Sequence, residues 1–202
     1  FDASYKMALA DSEENSKVFV HPFNDEKVIE GQATVGLEIL EDCKENIDFV
    51  FVAIGGGGLA SGLGSCMKQI SPKTKIIGVE PKGAAAMYEA LQKNELVTLE
   101  KIDPFVDGAA VQRVGEITFN YCRNIIDDMI LVPEGKVCST ILQLYNEEAI
   151  VAEPAGALTI AALDFYKEEI KGKNVVCVIS GSNNDITRTA EIKERALLYA
   201  NL

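Results

Sequence analysis

Gly55, Gly56, Gly57 and Gly58 stand together between an apolar run, residues 49–54, and a run of small residues that opens Leu59-Ala60-Ser61-Gly62. Glycine loses more conformational freedom on folding than any other residue, so four in a row weaken the chain unless bare backbone is itself needed. Backbone N–H groups that converge at a helix N-terminus bind phosphate, because they lack partners there and the helix dipole adds to them. A merely flexible turn is the plain alternative, and the strand-to-helix setting argues against it. A second cluster, Ser180-Gly181-Ser182-Asn183-Asn184-Asp185, follows the apolar run 175–179 and gathers hydroxyls and amides. By itself it reads as an ordinary N-cap. Together the two loops point to one small, flat, phosphorylated ligand.

The kind of phosphate stays open at this point. Gly55-x-Gly57-x-x-Ala60 satisfies the dinucleotide fingerprint, and Glu80 lies 25 positions after Gly55, near the ~20 expected of a ribose-binding acid. A nucleotide P-loop is excluded, since no Lys-Ser or Lys-Thr follows the glycines. A dinucleotide and a single phosphate-bearing cofactor remain.

Such loops work only where the fold sets them side by side. Residues 49–54 and 76–79 are apolar runs, followed by helical stretches at 59–70 and 84–91, and the alternation resumes with 129–132, 140–148, 155–165 and 175–179. Runs that are apolar on both faces and separated by helices describe a mostly parallel sheet covered on both sides. The expected fold class is α/β, a three-layer open sheet with helices on both faces. In such sheets the ligand crevice lies beyond the carboxyl ends of the strands, where both loops fall. Ahead of this unit, residues 2–14 have helical spacing, 17–21 read as a strand, 22–25 as a turn and 28–40 as a helix.

Composition narrows the partners. The chain has 202 residues, 48% of them hydrophobic and 25% charged, as in ordinary globular domains. A net charge of −12 repels phosphate backbones and anionic bilayers, so neither nucleic acid nor membrane is an expected partner. No apolar run reaches the ~20 residues of a spanning helix, and the first residues lack a signal-peptide pattern; a cytoplasmic location is expected. Cys43, Cys66, Cys122, Cys138 and Cys177 form no CxxC pair, which predicts buried free thiols rather than disulfides or a zinc site. The opening Phe1-Asp2-Ala3-Ser4, without Met and already in helical spacing, leads to the expectation of a fragment.

Five stretches stand in a telling order and spacing: Gly55-Gly56-Gly57-Gly58-Leu59, Val79-Glu80-Pro81, Asp107-Gly108-Ala109-Ala110-Val111, Ala152-Glu153-Pro154-Ala155-Gly156-Ala157 and Ser180-Gly181-Ser182-Asn183. They resemble the motifs of the threonine dehydratases, pyridoxal-phosphate enzymes of the tryptophan-synthase-β-like fold (fold type II). The likeness runs from about Phe1 into the 190s. Cysteine synthases of the same fold carry a Gly-Thr-Gly-Gly-Thr type loop, so the glycine tetrad favours the dehydratase and serine-racemase branch. The resemblance implies pyridoxal 5'-phosphate as cofactor, with the amides of Gly55, Gly56, Gly57, Gly58 and Leu59 on its phosphate, Ser180 hydrogen-bonded to the pyridine nitrogen, and Gly108 close to the ring. A neutral hydroxyl cannot hold a proton on that nitrogen as a carboxylate would, which suits rapid loss of a β-hydroxyl more than transamination. Gly108 reads equally as a turn glycine, and Glu153 before Pro154 equally as dipole compensation at a helix start. Glu80 matches a metal-binding acid of the racemase branch, but Ala86 stands where that branch has a second carboxylate, so no metal site is expected. His21, the single histidine, reads as structural.

The resemblance further implies an L-threonine ammonia-lyase of isoleucine biosynthesis, forming 2-oxobutanoate and ammonia. It implies an allosteric parent enzyme and a homo-oligomer (dimer or tetramer), with L-serine as a second candidate substrate. A serine dehydratase or racemase of the same fold, a dinucleotide-binding Rossmann module and a non-catalytic assembly role are the alternatives. In relatives the Schiff-base lysine stands in a Ser-Phe-Lys type motif and the substrate carboxylate is held by a Ser-x-Gly-Asn-His loop. Neither motif occurs here and none of the fifteen lysines has that context, so no catalytic residue is assigned and the fragment alone is expected to be inactive. The organisation implied is 1–25 as the end of a small catalytic subdomain, 26–190 as the large cofactor-binding domain, and 191–202 as an exit toward a regulatory domain.

Overall fold

The computed structural model describes residues 2–200; residue 1 and residues 201–202, at the outer ends of the expected first and last units, lie outside the described residues. One sheet holds four strands, β1 (Phe49–Ala53), β2 (Lys75–Pro81), β3 (Asp128–Val132) and β4 (Val175–Cys177), in the order β3-β2-β1-β4 with every neighbouring pair parallel. Phe51 stands opposite Ile77 on one side and Cys177 on the other. Parallel neighbours need crossovers, and helices supply them. α3 (Gly58–Ile70) joins β1 to β2, α4 (Ala86–Lys93) and α5 (Glu116–Ile125) lie between β2 and β3, and α6 (Glu134–Glu148) and α7 (Pro154–Ala162) between β3 and β4. α1 (Asp2–Glu14) and α2 (Glu26–Asp42) precede the sheet, and α8 (Thr189–Ala200) follows it.

The period-2 geometry of a strand explains the three layers. Phe49, Phe51 and Ala53 of β1 enter one core with Cys138 and Ile141 of α6, Leu158 of α7 and Ile192 of α8. Val50 and Val52, followed by Ile54, enter the other with Leu63 and Met67 of α3, Met87 of α4 and Phe119 of α5. The expected fold class therefore holds. All five cysteines are free thiols, and among the described residues no helix is long and apolar enough to cross a membrane.

The segment leading into the sheet is built from local hydrogen bonds. His21 Nδ1 accepts from the backbone N–H of Asn24 at 2.9 Å and of Phe23 at 3.3 Å. Burial lowers the histidine pKa from 6.5, against the pull of Asp25, so the neutral ring that can accept is the favoured form. Asp25 then caps α2, its Oδ1 accepting from Lys27 N–H at 2.8 Å and Val28 N–H at 3.2 Å. α2 lies hard against α3: a Cβ on Gly62 would stand 2.3 Å from the Ile29 carbonyl oxygen and 2.7 Å from the Ala33 nitrogen.

Two expectations need correction. The strand expected over residues 17–21 does not form; that backbone is irregular, and Val18 is 91% exposed. A β-branched run becomes a strand only when a neighbour takes its N–H and C=O groups, and no strand of the described sheet lies beside it. The helix expected over 84–91 starts instead as a 3-10 turn, Lys82–Ala84, before α4 begins.

Candidate functional site

Strand order places the site. From β1 the sheet continues through β2 to β3 on one side and carries β4 on the other, so the loops after β1 and β4 leave a topological switch point, where α/β sheets bind ligands. A cavity of about 410 Å³ opens there, within the ~300–1,000 Å³ of small-molecule sites. Gly55, Gly56, Gly57, Gly58, Leu59, Gly108 and Ser180 all line it, so the structure brings every residue predicted for the cofactor into one place.

The glycines of the first loop stand where a side chain would collide or crowd its neighbours. A Cβ on Gly55 would lie 2.8 Å from Ala109 Cα, and one on Gly56 would fall 2.2 Å from the Phe23 ring. Gly57, at the N-cap of α3, has φ +93°, in the left-handed region that favours glycine. Gly58 begins α3, and the first-turn N–H groups of a helix have no intrahelical partner. Bare amides and the positive end of a thirteen-residue helix thus meet at the cavity wall.

The opposite wall depends on Glu153. It occupies the N-cap of α7 without capping it by side chain, ahead of Pro154 in the first turn. Its Oε1 would lie 3.2 Å from a Cβ on Gly108 and 2.3 Å from one on Gly181, so its carboxylate is packed between two glycines at the cavity edge. Its N–H donates to the Gly181 carbonyl at 3.1 Å, which fixes the loop that carries Ser180. Capping in the Ser180 cluster falls to Asp185, whose Oδ1 accepts from Thr187 N–H at 2.9 Å, leaving Ser180 exposed at the cavity.

Glu80 is engaged elsewhere. It is fully buried at the end of β2, with Oε1 accepting from Met87 N–H at 2.9 Å and Oε2 from Tyr88 N–H at 2.7 Å. Burial pushes its carboxyl up to about 8, against those two hydrogen bonds. With both oxygens committed to the start of α4, it does not serve as the acid a dinucleotide reading requires. His21 lies outside the lining.

Among the lining residues not assigned to the cofactor from sequence are Phe23, Gln32 and Glu153. Gln32 did carry a signal, being a polar side chain on the face of α2 that also holds Ile29 and Ala33 against α3. Phe23 carried none, since its place depends on the turn built by His21. No lysine is among the lining residues. The cradle of bare amides, the neutral hydroxyl opposite it and the space between fit a flat phosphorylated ring.

Comparison with known proteins agrees with this geometry. The biosynthetic L-threonine dehydratase IlvA of Halalkalibacterium halodurans is 58% identical over the whole chain, which covers 49% of that protein. That of Bacillus subtilis is 56% identical over the whole chain, which covers 48% of it. The chain therefore spans about half the length of the curated relatives it matches. The processed form of threonine deaminase isoform 2 from Solanum lycopersicum superposes with a TM-score of 0.89 at 41% identity, over 95% of this chain and 56% of that one. A serine racemase from Dictyostelium discoideum gives 0.80 at 31% identity, over 92% and 60%. The family model for pyridoxal-phosphate dependent enzymes matches residues 1–181, and with the glycine cradle facing Ser180 across one cavity, the chain belongs to that family.

Proposed function

We propose that this chain is the large cofactor-binding part of an L-threonine ammonia-lyase, a cytoplasmic enzyme that converts L-threonine to 2-oxobutanoate and ammonia in isoleucine biosynthesis. The observation that carries the reading is the convergence of seven residues from three separated segments on one cavity at the switch point. The 58% identity to a threonine dehydratase supports L-threonine as the substrate.

The shared cavity supports the roles that the resemblance implies. The amides from Gly55 to Leu59 bind the phosphate, Ser180 donates to or accepts from the ring nitrogen without holding a charge there, and Gly108 leaves room for the flat face of the ring. Glu153 keeps the Gly108 and Gly181 walls apart. The chemistry supplied by bound pyridoxal phosphate is an electron sink for the carbanion left when the substrate α-proton departs. In relatives a lysine moves that proton; no lysine here stands in the Ser-Phe-Lys type context, which supports the reading that these 202 residues bind cofactor without turning over substrate. The fully committed carboxylate of Glu80 weighs against the dinucleotide alternative.

Equilibrium dialysis of pyridoxal phosphate against the chain tests this directly. Saturable binding is expected, reduced at least tenfold in Gly57→Val, with no 2-oxobutanoate formed from L-threonine. Absence of binding, or tight NADH binding in its place, overturns the cofactor assignment; steady deamination by the chain overturns its predicted inactivity.

A further inference from the structure

Four glycines in a row leave the direction of their own amides undecided, because glycine takes either sign of φ at little cost. An arrangement that turns N–H groups toward the cavity is therefore held best by a contact from outside the loop. Behind the loop lies α5, which presents Thr118 and Cys122, four residues apart and therefore on one helical face. Thr118 Oγ1 donates to the Gly56 carbonyl oxygen at 2.6 Å; a longer contact, 3.1 Å, runs to the Gly115 carbonyl of its own helix. Cys122 Sγ lies 4.0 Å from the Gly57 carbonyl oxygen.

In a trans peptide the C=O and N–H point to opposite sides. Drawing the Gly56 carbonyl back to α5 therefore sends the Gly57 N–H forward, toward the cavity that Gly57 lines. The backing is tight, for a Cβ on Gly57 would stand 2.8 Å from Met87 Cε and 2.9 Å from Thr118 Cβ. Thr118 is wholly buried and does not line the cavity, so whatever it does for a ligand passes through the loop.

We infer that Thr118 is a positioning residue for the cofactor phosphate: its hydroxyl latches the Gly56 carbonyl and so fixes the Gly57 amide in the binding direction. This rests on the reading of the glycine loop as the phosphate cradle. A role confined to packing α5 would need the methyl and not the hydroxyl, and substitution separates the two.

Thr118→Val keeps the shape and removes the donor, leaving the Gly56 oxygen unpartnered, whereas Thr118→Ser keeps the donor and loses a methyl. Two readouts are taken on the chain. The backbone order parameter of the Gly57 amide is expected to fall from about 0.85 to below about 0.6 in Thr118→Val, as the freed peptide swings, and to stay close to the original in Thr118→Ser. Pyridoxal phosphate affinity is expected to fall at least tenfold in Thr118→Val and to recover in Thr118→Ser, while affinity for pyridoxal, which lacks the phosphate, is equal in all three proteins. An unchanged order parameter in a folded Thr118→Val overturns the latch whatever the ligand does. A mobile Gly57 amide with undiminished pyridoxal phosphate affinity, or an equal loss for pyridoxal, overturns its link to the phosphate. Should the unsubstituted chain bind no pyridoxal phosphate, the functional reading and the link to phosphate fail, while the order parameters still judge the latch.

Discussion

Glu80 takes the place of a missing cap. α4 starts after Ala85, which offers no capping side chain, and the Glu80 carboxylate accepts the N–H groups of Met87 and Tyr88 instead. Burial raises its pKa from 4.5 to about 8, so between those values the folded chain holds a proton that the unfolded chain has released. Stability then falls as pH rises from 4.5 to about 8, by up to ~1.4 kcal/mol per pH unit from this one group. Glu80→Gln cannot ionise and keeps one acceptor. Calorimetric scans are expected to give it a lower Tm than the original near pH 5 and a flatter profile toward pH 8; an undiminished slope would show that Glu80 is not the group that titrates. From sequence, Glu80 reads as a ribose acid or a metal-binding acid, because position along the chain says nothing of where a buried carboxylate turns. The glycines were legible for the opposite reason: a run of four has few uses, and its position after a strand chooses among them. Thr118, an unremarkable residue in sequence, acquires meaning only when α5 is placed behind that run.

The elements that hold the site were unevenly legible. β1 to β4 and α2, α3, α6 and α7 follow from apolar runs and helical spacing, which tertiary packing then satisfied. α5 was not anticipated, although Thr118, Phe119, Cys122 and Ile125 are buried along one face. Its N-terminus has no local cap, and Asn24 Oδ1, 93 residues away, accepts the N–H of Ile117 at 2.8 Å, so the usual start signal is absent from the neighbouring sequence. The α2–α3 crossing is the joint on which both this turn and the glycine loop depend. Gly62→Ala would place a methyl 2.3 Å from the Ile29 carbonyl and 2.7 Å from the Ala33 nitrogen, both backbone atoms that cannot rotate away. α2 must shift outward, at a cost of about 1–3 kcal/mol. Thermal unfolding is expected several degrees lower, at ~2–4 °C per kcal/mol for a chain of this size, and Phe23 leaves its place over Gly56. A Gly62→Ala protein with unaltered Tm would mean that the two helices are less closely seated than described.

At the scale of the whole molecule, the parallel sheet and the crevice beyond its strand ends were readable from alternation, whereas the strand order that makes the switch point and the docking of α8 were not. The apolar residues that catch the eye there, Leu197 and Leu198, are 57% and 63% exposed, while Ile192 and Ala196 are the ones buried. Arg195 does the fastening with its guanidinium. It donates to Asp103 at 2.9 Å and to Glu191 at 3.0 Å and lies 4.3 Å from the Phe105 ring centre, while Arg188 covers the same ring at 4.8 Å. This ties the last helix to the segment that runs on to Gly108 in the cavity wall. Burial alone would raise the Asp103 carboxyl, but the Arg195 hydrogen bond and charge, with the Phe105 N–H, hold it below its ordinary 3.8. The stabilisation is therefore present above 3.8 and is lost as pH falls through the lower folded value. Arg195→Met keeps the bulk and removes the charge. Because the side chain is partly exposed, the expected loss is about 1 kcal/mol at low salt, narrowing as salt screens the pairs and shrinking further once Asp103 is protonated. Pyridoxal phosphate affinity should weaken a few-fold with it, since Gly108 loses its anchor rather than its contact. Urea titrations at low and high salt, run beside the binding measurement, decide the matter: equal stability of the two proteins at low salt would free α8 from any part in holding the cavity wall.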